Sequence, residues 1–351
     1  LWLQIGDAIA LNSNPAAPRR TPPRLRLRYN PRMSDTVLVT GAAGFIGSHL
    51  VERLLRDGGR VVGFDNLNDF YDPAIKRRNL EASLQNRRFT FIEADLRDRA
   101  AVFDAFAEHR PDRVVHLAAM AGVRPSIENP ACYTAVNLDG TVNLLDAAVA
   151  HGSSGFVFAS SSSVYGNNDK TPFAEDDPVD HPISPYAATK KAGELIGHTY
   201  WHLHRLPFVA LRFFTVFGPR QRPDLAIGKF LRLVADDQPI PMFGDGTTSR
   251  DYTFIDDILA GVRAAMDKAT PDTGYRIYNL GGSSPVELRE MIDTIGRVVG
   301  KTPRIERQPM QAGDVTRTWA DLTRSQAELG YEPRTPLEVG IKKQWDWMRC
   351  A

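Results

Sequence analysis

Four consecutive serines, Ser160–Ser163, stand directly before Val164 and Tyr165 in the stretch ASSSSVYGNN. A turn does not require so many hydroxyls, and one nucleophilic step would need only one of them. No carboxylate stands among them. The serines end an apolar run, GFVFASS, which is typical of a buried strand. We therefore expect these hydroxyls at the carboxyl end of a strand, the edge where α/β sheets bind ligands.

A glycine pattern lies near the start of the regular sequence, where VLVTGAAGFIGSHL places Gly41, Gly44 and Gly47 between an apolar run and an amphipathic stretch. The first glycine permits a tight turn, the second lets a pyrophosphate approach the backbone, and the third allows close helix–strand packing. The amino end of the helix then faces the phosphates with its partial positive charge. Alone, these glycines also fit an ordinary strand-to-helix turn.

Two aspartates strengthen the interpretation as a dinucleotide site. Asp65 ends the next apolar run, where an acid accepts from the ribose 2′-hydroxyl and repels a 2′-phosphate, so NAD is favoured over NADP. Asp95 ends the third run and has two interpretations, a contact to the adenine or the N-cap of a helix.

Tyr186 and Lys190 in SPYAATKKAGE are four residues apart and therefore share one helical face. A tyrosine near pKa 10 is a poor base at neutral pH. A neighbouring ammonium and a positive nicotinamide ring favour the phenolate, which makes the pair a usable general base. By itself a Tyr-x-x-x-Lys pair is common, and Lys191 is expected to be solvated. The predicted cofactor site comprises Gly41, Gly44, Phe45, Ile46, Gly47, Asp65, Asn66, Asp95, Leu96, Leu117, Ala118, Ala119, Asn137, Tyr186 and Lys190.

Strand and helix patterns alternate from Thr36 onward, which predicts an α/β, Rossmann-like, doubly wound parallel sheet. The long connection NDFYDPAIKRRNLEASLQN after the second strand is expected to hold a helix. After about Phe214, loops rich in Pro and Gly indicate a smaller C-terminal α/β substrate lobe. The predicted organisation is a disordered extension over 1–33, an NAD-binding domain over 34–214 to which 250–278 returns, and the lobe over 215–249 and 279–349.

The composition argues against nucleic acid, a membrane and a metal ion as partners of this protein. A formal net charge of +1 over 351 residues favours neither nucleic acid nor an anionic membrane as a partner. No apolar run approaches the ~20 residues of a membrane span. Cys132 and Cys350 form neither a disulfide framework nor a metal motif, which fits a reducing cytoplasm and no metal. Residues 1–32 lack the order of a signal peptide, and Met33 is the expected natural start.

TGAAGFIG, SSVYG, YAATK and RDYTFIDDI resemble the extended short-chain dehydrogenase/reductases that act on nucleotide sugars, over about residues 35–345. AGVRPSIENP, SSSSVYGNN, DHPISPYAATKKAGEL and RFFTVFGPRQRPDLAI are similar to the UDP-glucuronate 4-epimerase subgroup. The resemblance implies bound NAD, a UDP-sugar substrate and a homodimer. It implies that Ser161 hydrogen-bonds the sugar 4-oxygen beside Tyr186, and that Tyr186 takes the 4-hydroxyl proton while the C4 hydride moves to NAD.

The resemblance suggests a functional reason for the absence of a carboxylate among the four serines. Related dehydratases and decarboxylases carry an acid just before VYG, whereas Ser162 and Ser163 stand there in this chain. Hydroxyls at these places can hold a substrate carboxylate and leave C5 and C6 intact. Alternatively, the two serines satisfy their own turn.

The remaining predicted substrate contacts lie in later loops. Thr215 stands where galactose-type epimerases have Asn, which implies an altered contact to C6. Arg222 can pair with a carboxylate bidentately, or be a solvated loop residue. The resemblance also implies contacts to the sugar, uracil, pyrophosphate and ribose; these residues are Arg124, Met242, Phe243, Arg250 and Asp314. Gln311 replaces a second phosphate-binding Arg of many relatives.

These observations predict an enzyme that interconverts UDP-glucuronate and UDP-galacturonate. Three enzyme alternatives stay open, namely a 4-epimerase of a neutral UDP-hexose, a UDP-glucuronate decarboxylase and a nucleotide-sugar dehydratase. An NAD-sensing binding module is the non-enzymatic alternative. Such a module need not keep Tyr186, Lys190 and Ser161 together, and this chain has all three.

Overall fold

The structure, a computed structural model, describes residues 35–310 and 315–350. The predicted disordered extension over 1–33, Gln311 and Asp314 lie outside the described residues. The strands are β1 (Thr36–Thr40), β2 (Arg60–Asp65), β3 (Phe89–Glu93), β4 (Arg113–His116), β5 (Gly155–Ser161), β6 (Phe208–Phe213), β7 (Thr215–Phe217), β8 (Ile240–Phe243), β9 (Ser249–Phe254), β10 (Tyr275–Leu280), β11 (Pro285–Glu287) and β12 (Ile305–Gln308).

The α-helices follow the amphipathic stretches of the sequence. A π-helical turn, Ala135–Asp139, joins the fifth helix to the sixth. The helices are α1 (Phe45–Arg56), α2 (Pro73–Leu84), α3 (Arg99–His109), α4 (Val123–Glu128), α5 (Pro130–Thr134), α6 (Gly140–Ala150), α7 (Pro185–His204), α8 (Ala226–Ala235), α9 (Ile255–Lys268), α10 (Leu288–Val299), α11 (Thr323–Leu329) and α12 (Leu337–Cys350).

Seven strands form a parallel sheet in the order β10-β6-β5-β4-β1-β2-β3. The chain moves outward from β1 to β3 and then returns to β4 on the other side of β1. The order therefore reverses between β1 and β4, and the carboxyl ends of the strands leave a crevice at this point. This topology confirms the predicted Rossmann-like, doubly wound fold.

Helices cover both faces of the sheet because successive strand side chains point to opposite sides. Val39 lies in the same core as Leu50 of α1. The neighbouring Leu38 lies in a second core with Phe106 of α3 and Leu144 of α6. Each strand is thus buried on both faces of the sheet, which explains why it appears in the sequence as a continuous apolar run.

The connection after β2 contains α2, as its sequence predicts. Asp72 caps this helix by accepting from the Ala74 amide at 2.9 Å, and Pro73 occupies its first turn. The proline is tolerated there because its missing N–H would have no partner in the helix.

Two small sheets follow β6, one in the order β11-β9-β7 and one formed by β12 and β8. The chain returns to the large sheet at β10, which pairs with β6. This is the C-terminal α/β region that the loops rich in Pro and Gly indicate. The exact division into a cofactor domain and a substrate lobe stays a prediction.

Candidate active site

The end of β5 directs adjacent serines to different partners. Ser160 donates to Glu194 of α7, with an Oγ–Oε1 distance of 2.7 Å. Ser161 accepts from the Ser163 amide at 3.1 Å and donates to the Ser163 hydroxyl at 3.1 Å. Ser162 begins a 3₁₀ turn. Ser161 therefore caps the turn that presents Ser162 and Ser163, the Ser163 hydroxyl takes part in the same turn, and the contact of these two serines to a substrate carboxylate stays a prediction.

Helix α7 brings Tyr186 and Lys190 to this strand end. Ser184 caps the helix by accepting from the Ala187 amide at 3.1 Å, which places Tyr186 in the first turn. Lys190 lies one turn later and donates to the Ala159 carbonyl of β5 at 2.8 Å. Its Nζ is 5.9 Å from the centre of the Tyr186 ring. The three proposed catalytic side chains, Ser161, Tyr186 and Lys190, all line one cleft.

The pKa shifts of Tyr186 and Lys190 differ from what the sequence predicts. Desolvation raises the pKa of Tyr186, while a hydrogen bond with Ser161 and the positive charge of Arg222 lower that pKa. Burial lowers the pKa of Lys190 to about 7. The lysine charge is thus weakened by the same burial that fixes its position, and Ser161 and Arg222 are the groups that favour the phenolate.

The glycine turn has the close approaches that a dinucleotide site requires. Gly41 has φ +68°, and a Cβ there would lie 2.8 Å from the Ala118 amide nitrogen. A Cβ at Gly47 would lie 2.0 Å from the Gly41 carbonyl oxygen. Gly44 begins α1 without a side-chain cap, so the first amides of the helix remain for an anionic ligand. These residues fit the pyrophosphate of NAD.

Asp65 ties the end of β2 to the glycine turn. Its carboxylate accepts from the Ala43 amide at 3.0 Å and from the Leu67 amide at 2.9 Å. Burial raises its pKa, and these two hydrogen bonds and Lys76 oppose that rise. The carboxylate lines the cleft with lone pairs left for ribose hydroxyls.

Asp95 lies at the same end of the cleft. It accepts from Asn66 Nδ2 at 2.9 Å and pairs with Arg97 at 2.8 Å, and the hydrogen bond from Arg97 holds its pKa well below the usual range. Asp98, not Asp95, caps α3. The N-cap alternative for Asp95 is therefore wrong, and the adenine contact stays a prediction.

Asn137 is set back from the cleft. Its amide oxygen accepts from the Met120 amide at 2.8 Å, and its nitrogen donates to the Met120 carbonyl at 3.0 Å and to Thr189 at 3.0 Å. It links the loop after β4 to α7, which makes it a support of the cofactor site. The other predicted cofactor residues line the cleft directly: Gly41, Gly44, Phe45, Ile46, Gly47, Asp65, Asn66, Asp95, Leu96, Leu117, Ala118, Ala119, Tyr186 and Lys190.

At the other end of the cleft lie the predicted carboxylate-binding groups. Ser162, Ser163, Thr215 and Arg222 line it, and its volume is about 510 Å³. Arg222 pairs with Asp224 through two contacts of 3.0 and 2.8 Å. The Arg222 side chain is 17% exposed and paired, so it is not fully solvated, and its contact to a substrate carboxylate stays a prediction.

Four predicted substrate residues do not line this cleft. Met242 is completely buried in β8, and Arg124 lies 5.2 Å from the Phe243 ring centre. Arg250 donates to the Ser249 carbonyl at 2.9 Å. Their contacts to a nucleotide stay predictions, as does that of Asp314, which lies outside the described residues.

Sequence reasoning missed the part of the cleft that is formed by the connection after β2. Lys76 is 5% exposed and donates to the Asn68 carbonyl at 2.7 Å and to the Asn68 side chain at 2.6 Å. The unusual length of this connection is the sequence feature that could have indicated a role in the cleft. Its path across the crevice depends on tertiary packing, which the sequence pattern does not record. The missed lining residues on this connection are Asn68, Phe70, Tyr71 and Lys76.

Within residues 35–310 and 315–350, no group of three or more His, Cys, Asp or Glu side chains is arranged to hold a metal ion. In the same part of the chain, no helix is both long and apolar enough to span a membrane.

The sheet with its glycine turn, and the Ser–Tyr–Lys cluster above it, define an enzyme of the extended short-chain dehydrogenase/reductase class. The chain belongs to the GDP-mannose 4,6 dehydratase family, which it matches over residues 38–344.

Two solved structures and one further relative illustrate the similarity. A UDP-glucuronate 4-epimerase of Thermodesulfobacterium geofontis is 42% identical, over 89% of this chain and 95% of that protein. The crystal structure of the Bacillus cereus UDP-glucuronic acid 4-epimerase with UDP-glucuronic acid and NAD has a TM-score of 0.84 and 35% identity, over 90% and 99% of the two chains. The Thermotoga maritima UDP-glucose 4-epimerase with UDP-glucose has a TM-score of 0.83 and 32% identity, over the same shares. The overall fold therefore does not distinguish an epimerase of UDP-glucuronic acid from an epimerase of UDP-glucose.

Proposed function

We propose that the protein interconverts UDP-glucuronate and UDP-galacturonate with bound NAD. The observation that carries this proposal is the sugar end of the cleft, where Ser162, Ser163, Thr215 and Arg222 surround the space next to Tyr186. Hydroxyls and a guanidinium are the groups that bind a carboxylate. The relatives named for UDP-glucuronate support the same substrate.

In the proposed reaction Tyr186 takes the proton of the C4 hydroxyl, and Ser161 holds the C4 oxygen. Bound NAD, which the glycine turn and Asp65 would hold, would supply a reversible acceptor for the C4 hydride, so no external oxidant would be consumed. The 4-keto sugar turns within the cleft and presents its opposite face. Tyr186 then returns the proton to the C4 oxygen, and the product differs from the substrate only in the configuration at C4.

The chain contributes position and electrostatics to this chemistry. Ser161 and Arg222 lower the pKa of Tyr186 against the effect of desolvation. Lys190 braces α7 against β5 through the Ala159 carbonyl. A positive nicotinamide ring next to Tyr186 would favour its phenolate further, so a larger fraction of Tyr186 would be ionised when the oxidised cofactor is bound.

The placement of acids argues against a decarboxylase or a dehydratase. Among the described residues, the carboxylates that line the cleft are Asp65 and Asp95, and both lie at the cofactor end. A group that moves a C5 proton or strains the substrate carboxylate would have to stand beside Ser162 and Ser163. Hydroxyls occupy that place, which favours a reaction confined to C4.

Incubation of the purified enzyme with UDP-glucuronate, followed by separation of the nucleotide sugars, tests the proposal. We expect UDP-galacturonate to appear without added NADH or oxidant, and the reverse reaction to start from UDP-galacturonate. UDP-glucose should be a poor substrate. A UDP-pentose as the main product, or equal turnover of UDP-glucose, would overturn the proposal in favour of a decarboxylase or a neutral-hexose epimerase respectively.

We also propose a cytoplasmic homodimer. The two cysteines of the described residues, Cys132 and Cys350, are free thiols, which fits a reducing compartment. Leu195 and Leu203 on α7 are 56% and 70% exposed, and together with the family resemblance they support a dimer through α6 and α7. Light scattering that gives a single-chain mass would contradict the dimer.

A further inference from the structure

Arg222 is held on several sides before any substrate binds. The Nε and Nη2 atoms donate to the two oxygens of Asp224 at 3.0 and 2.8 Å. Nη1 donates to the Ala121 carbonyl at 3.4 Å, on the loop after β4. The guanidinium carbon lies 5.0 Å from the centre of the Phe70 ring, on the connection after β2. Three separate segments of the chain therefore converge on one side chain.

This arrangement leaves two guanidinium donors for a ligand. Arginine has five N–H donors in a fixed plane. Asp224 takes two of them along the Nε–Nη2 edge, and Ala121 takes one from Nη1. The two remaining donors belong to Nη1 and Nη2 and are available to a carboxylate.

We propose that Asp224 and Phe70 are positioning residues that preorganise Arg222 for the C6 carboxylate and thereby set the preference for a charged sugar. This inference rests on the proposed function, since it assigns Arg222 to the substrate carboxylate. Asp224 fixes the rotation of the fork by its paired hydrogen bonds. Phe70 supports the face of the guanidinium through a cation–π contact. A side chain already held in place loses less conformational freedom when the ligand binds.

The first test uses Asp224→Asn, which removes the charge and one of the two acceptors, in the NAD-loaded enzyme. We expect KM for UDP-glucuronate to rise about three- to tenfold with kcat changed less than about twofold, because one positioned hydrogen bond is lost. The inhibition constant of UDP-glucose, which has no carboxylate, should stay unchanged. Asp272→Asn, at an exposed turn remote from the cleft, is the matched control and should change neither quantity.

Phe70 is tested by two substitutions. Phe70→Leu should raise KM for UDP-glucuronate about as much as Asp224→Asn does. Phe70→Tyr keeps the aromatic ring, so its KM should stay close to that of the parent enzyme. In an Arg222→Ala background, Asp224→Asn and Phe70→Leu should have no further effect on KM, because they act through Arg222.

Three results would overturn the inference. One is an equal weakening of UDP-glucuronate and UDP-glucose, which would indicate general damage to the cleft. The second is an unchanged KM in both variants. The third is a lower KM in Asp224→Asn, which would make Asp224 a competitor of the substrate. If the parent enzyme does not epimerise UDP-glucuronate at all, the proposed function fails first, and the two failures are thus distinguished.

Discussion

Tyr186 depends on two neighbours for its function as a base. Its phenol is desolvated by the surrounding protein, which opposes ionisation, and the Ser161 hydroxyl and the Arg222 charge oppose that effect. Lys190 is buried with its pKa lowered to about 7, so it contributes less charge than its residue type suggests. The catalytic cluster is therefore a balance of desolvation and hydrogen bonding around one phenolic oxygen.

Replacing Tyr186 by Phe should remove the proton acceptor and leave the fold intact. We expect kcat to fall at least about 100-fold, the usual scale for a positioned acid–base group, while NAD stays bound. Product formation from UDP-glucuronate measures the loss, and Tyr200→Phe, which removes a partly buried hydroxyl of α7 outside the cleft, is the control. Turnover within a few-fold of the parent would show that another group is the base.

Ser161→Ala should change the pH profile as well as the rate. The hydrogen bond with Ser161 lowers the pKa of Tyr186, so its loss should move the acidic limb of log kcat/KM to higher pH. Profiles recorded over the same buffers for the parent and for Ser154→Ala, directly before β5, provide the comparison. An acidic limb that stays in place would separate Ser161 from the ionisation of Tyr186.

Ser163 and Thr215 should protect the fidelity of the reaction. The 4-keto intermediate is a β-keto acid, which loses CO₂ when its carboxylate can rotate freely. Ser163→Ala or Thr215→Ala should therefore release some UDP-4-keto-pentose and CO₂ beside the epimer, and each such event would leave the C4 hydride on the cofactor. Mass spectrometry of the products detects the UDP-4-keto-pentose. If both variants form the epimer without this by-product, Ser163 and Thr215 do not hold the substrate carboxylate.

At the scale of elements, a buried ion pair fixes α7 against the sheet. Arg212 of β6 and Glu194 of α7 are 1% and 0% exposed in their side chains, and Arg212 donates to both oxygens of Glu194 at 2.8 and 2.9 Å. Ser160 of β5 donates to the same carboxylate. The helix that carries Tyr186 and Lys190 is thus tied to the strand that carries Ser161.

Arg212→Leu should destabilise the protein strongly. It removes the bidentate cation of the buried Glu194 carboxylate and leaves Lys191, with its Nζ at 3.7 Å from that carboxylate; loss of the partner in comparable buried pairs costs about 3–5 kcal/mol. Denaturant unfolding measures the change. Arg276→Leu breaks the half-exposed pair with Glu328 and should cost less than about 1 kcal/mol. Similar losses in the two variants would mean that the buried pair does not anchor α7.

At the scale of the whole molecule, one histidine in the middle of the sheet links folding to pH. His116 ends β4, and its ring nitrogens meet Thr40 of β1 at 2.7 Å and Thr141 of α6 at 2.9 Å. Burial lowers its pKa to about 3, and the charge of Lys190 acts in the same direction. The unfolded chain therefore binds a proton here more readily than the folded one below pH 6.5.

The stability contributed by neutral His116 should be complete above pH 6.5 and should be lost as the pH falls toward 3. The loss approaches about 1.4 kcal/mol per pH unit well below pH 6.5. Unfolding curves between pH 7 and 4 measure this slope. His116→Asn should be less stable at pH 7 but show a shallower slope, and equal slopes would mean that His116 does not titrate on unfolding.

The sequence alone determined the sheet, its helices and the cofactor end of the cleft. Gly41, Asp65 and Tyr186 each stand at a place defined by local pattern, the end of a strand or the start of a helix. The carboxyl ends of parallel strands meet at one edge, so local patterns suffice to bring such residues together. The residue spacing of Tyr186 and Lys190 on one helical turn is a local property in the same sense.

Only the tertiary structure decided how Arg222 is held at the sugar end of the cleft. Phe70, Ala121 and Asp224 meet at Arg222 from three loops, and no periodic pattern records which loops converge. The partner of Ser160 and the low pKa of Lys190 also depend on burial against distant segments. Loops rich in Pro and Gly take their course from long-range packing, and desolvation depends on everything that surrounds a group, so neither can be derived from neighbours along the chain.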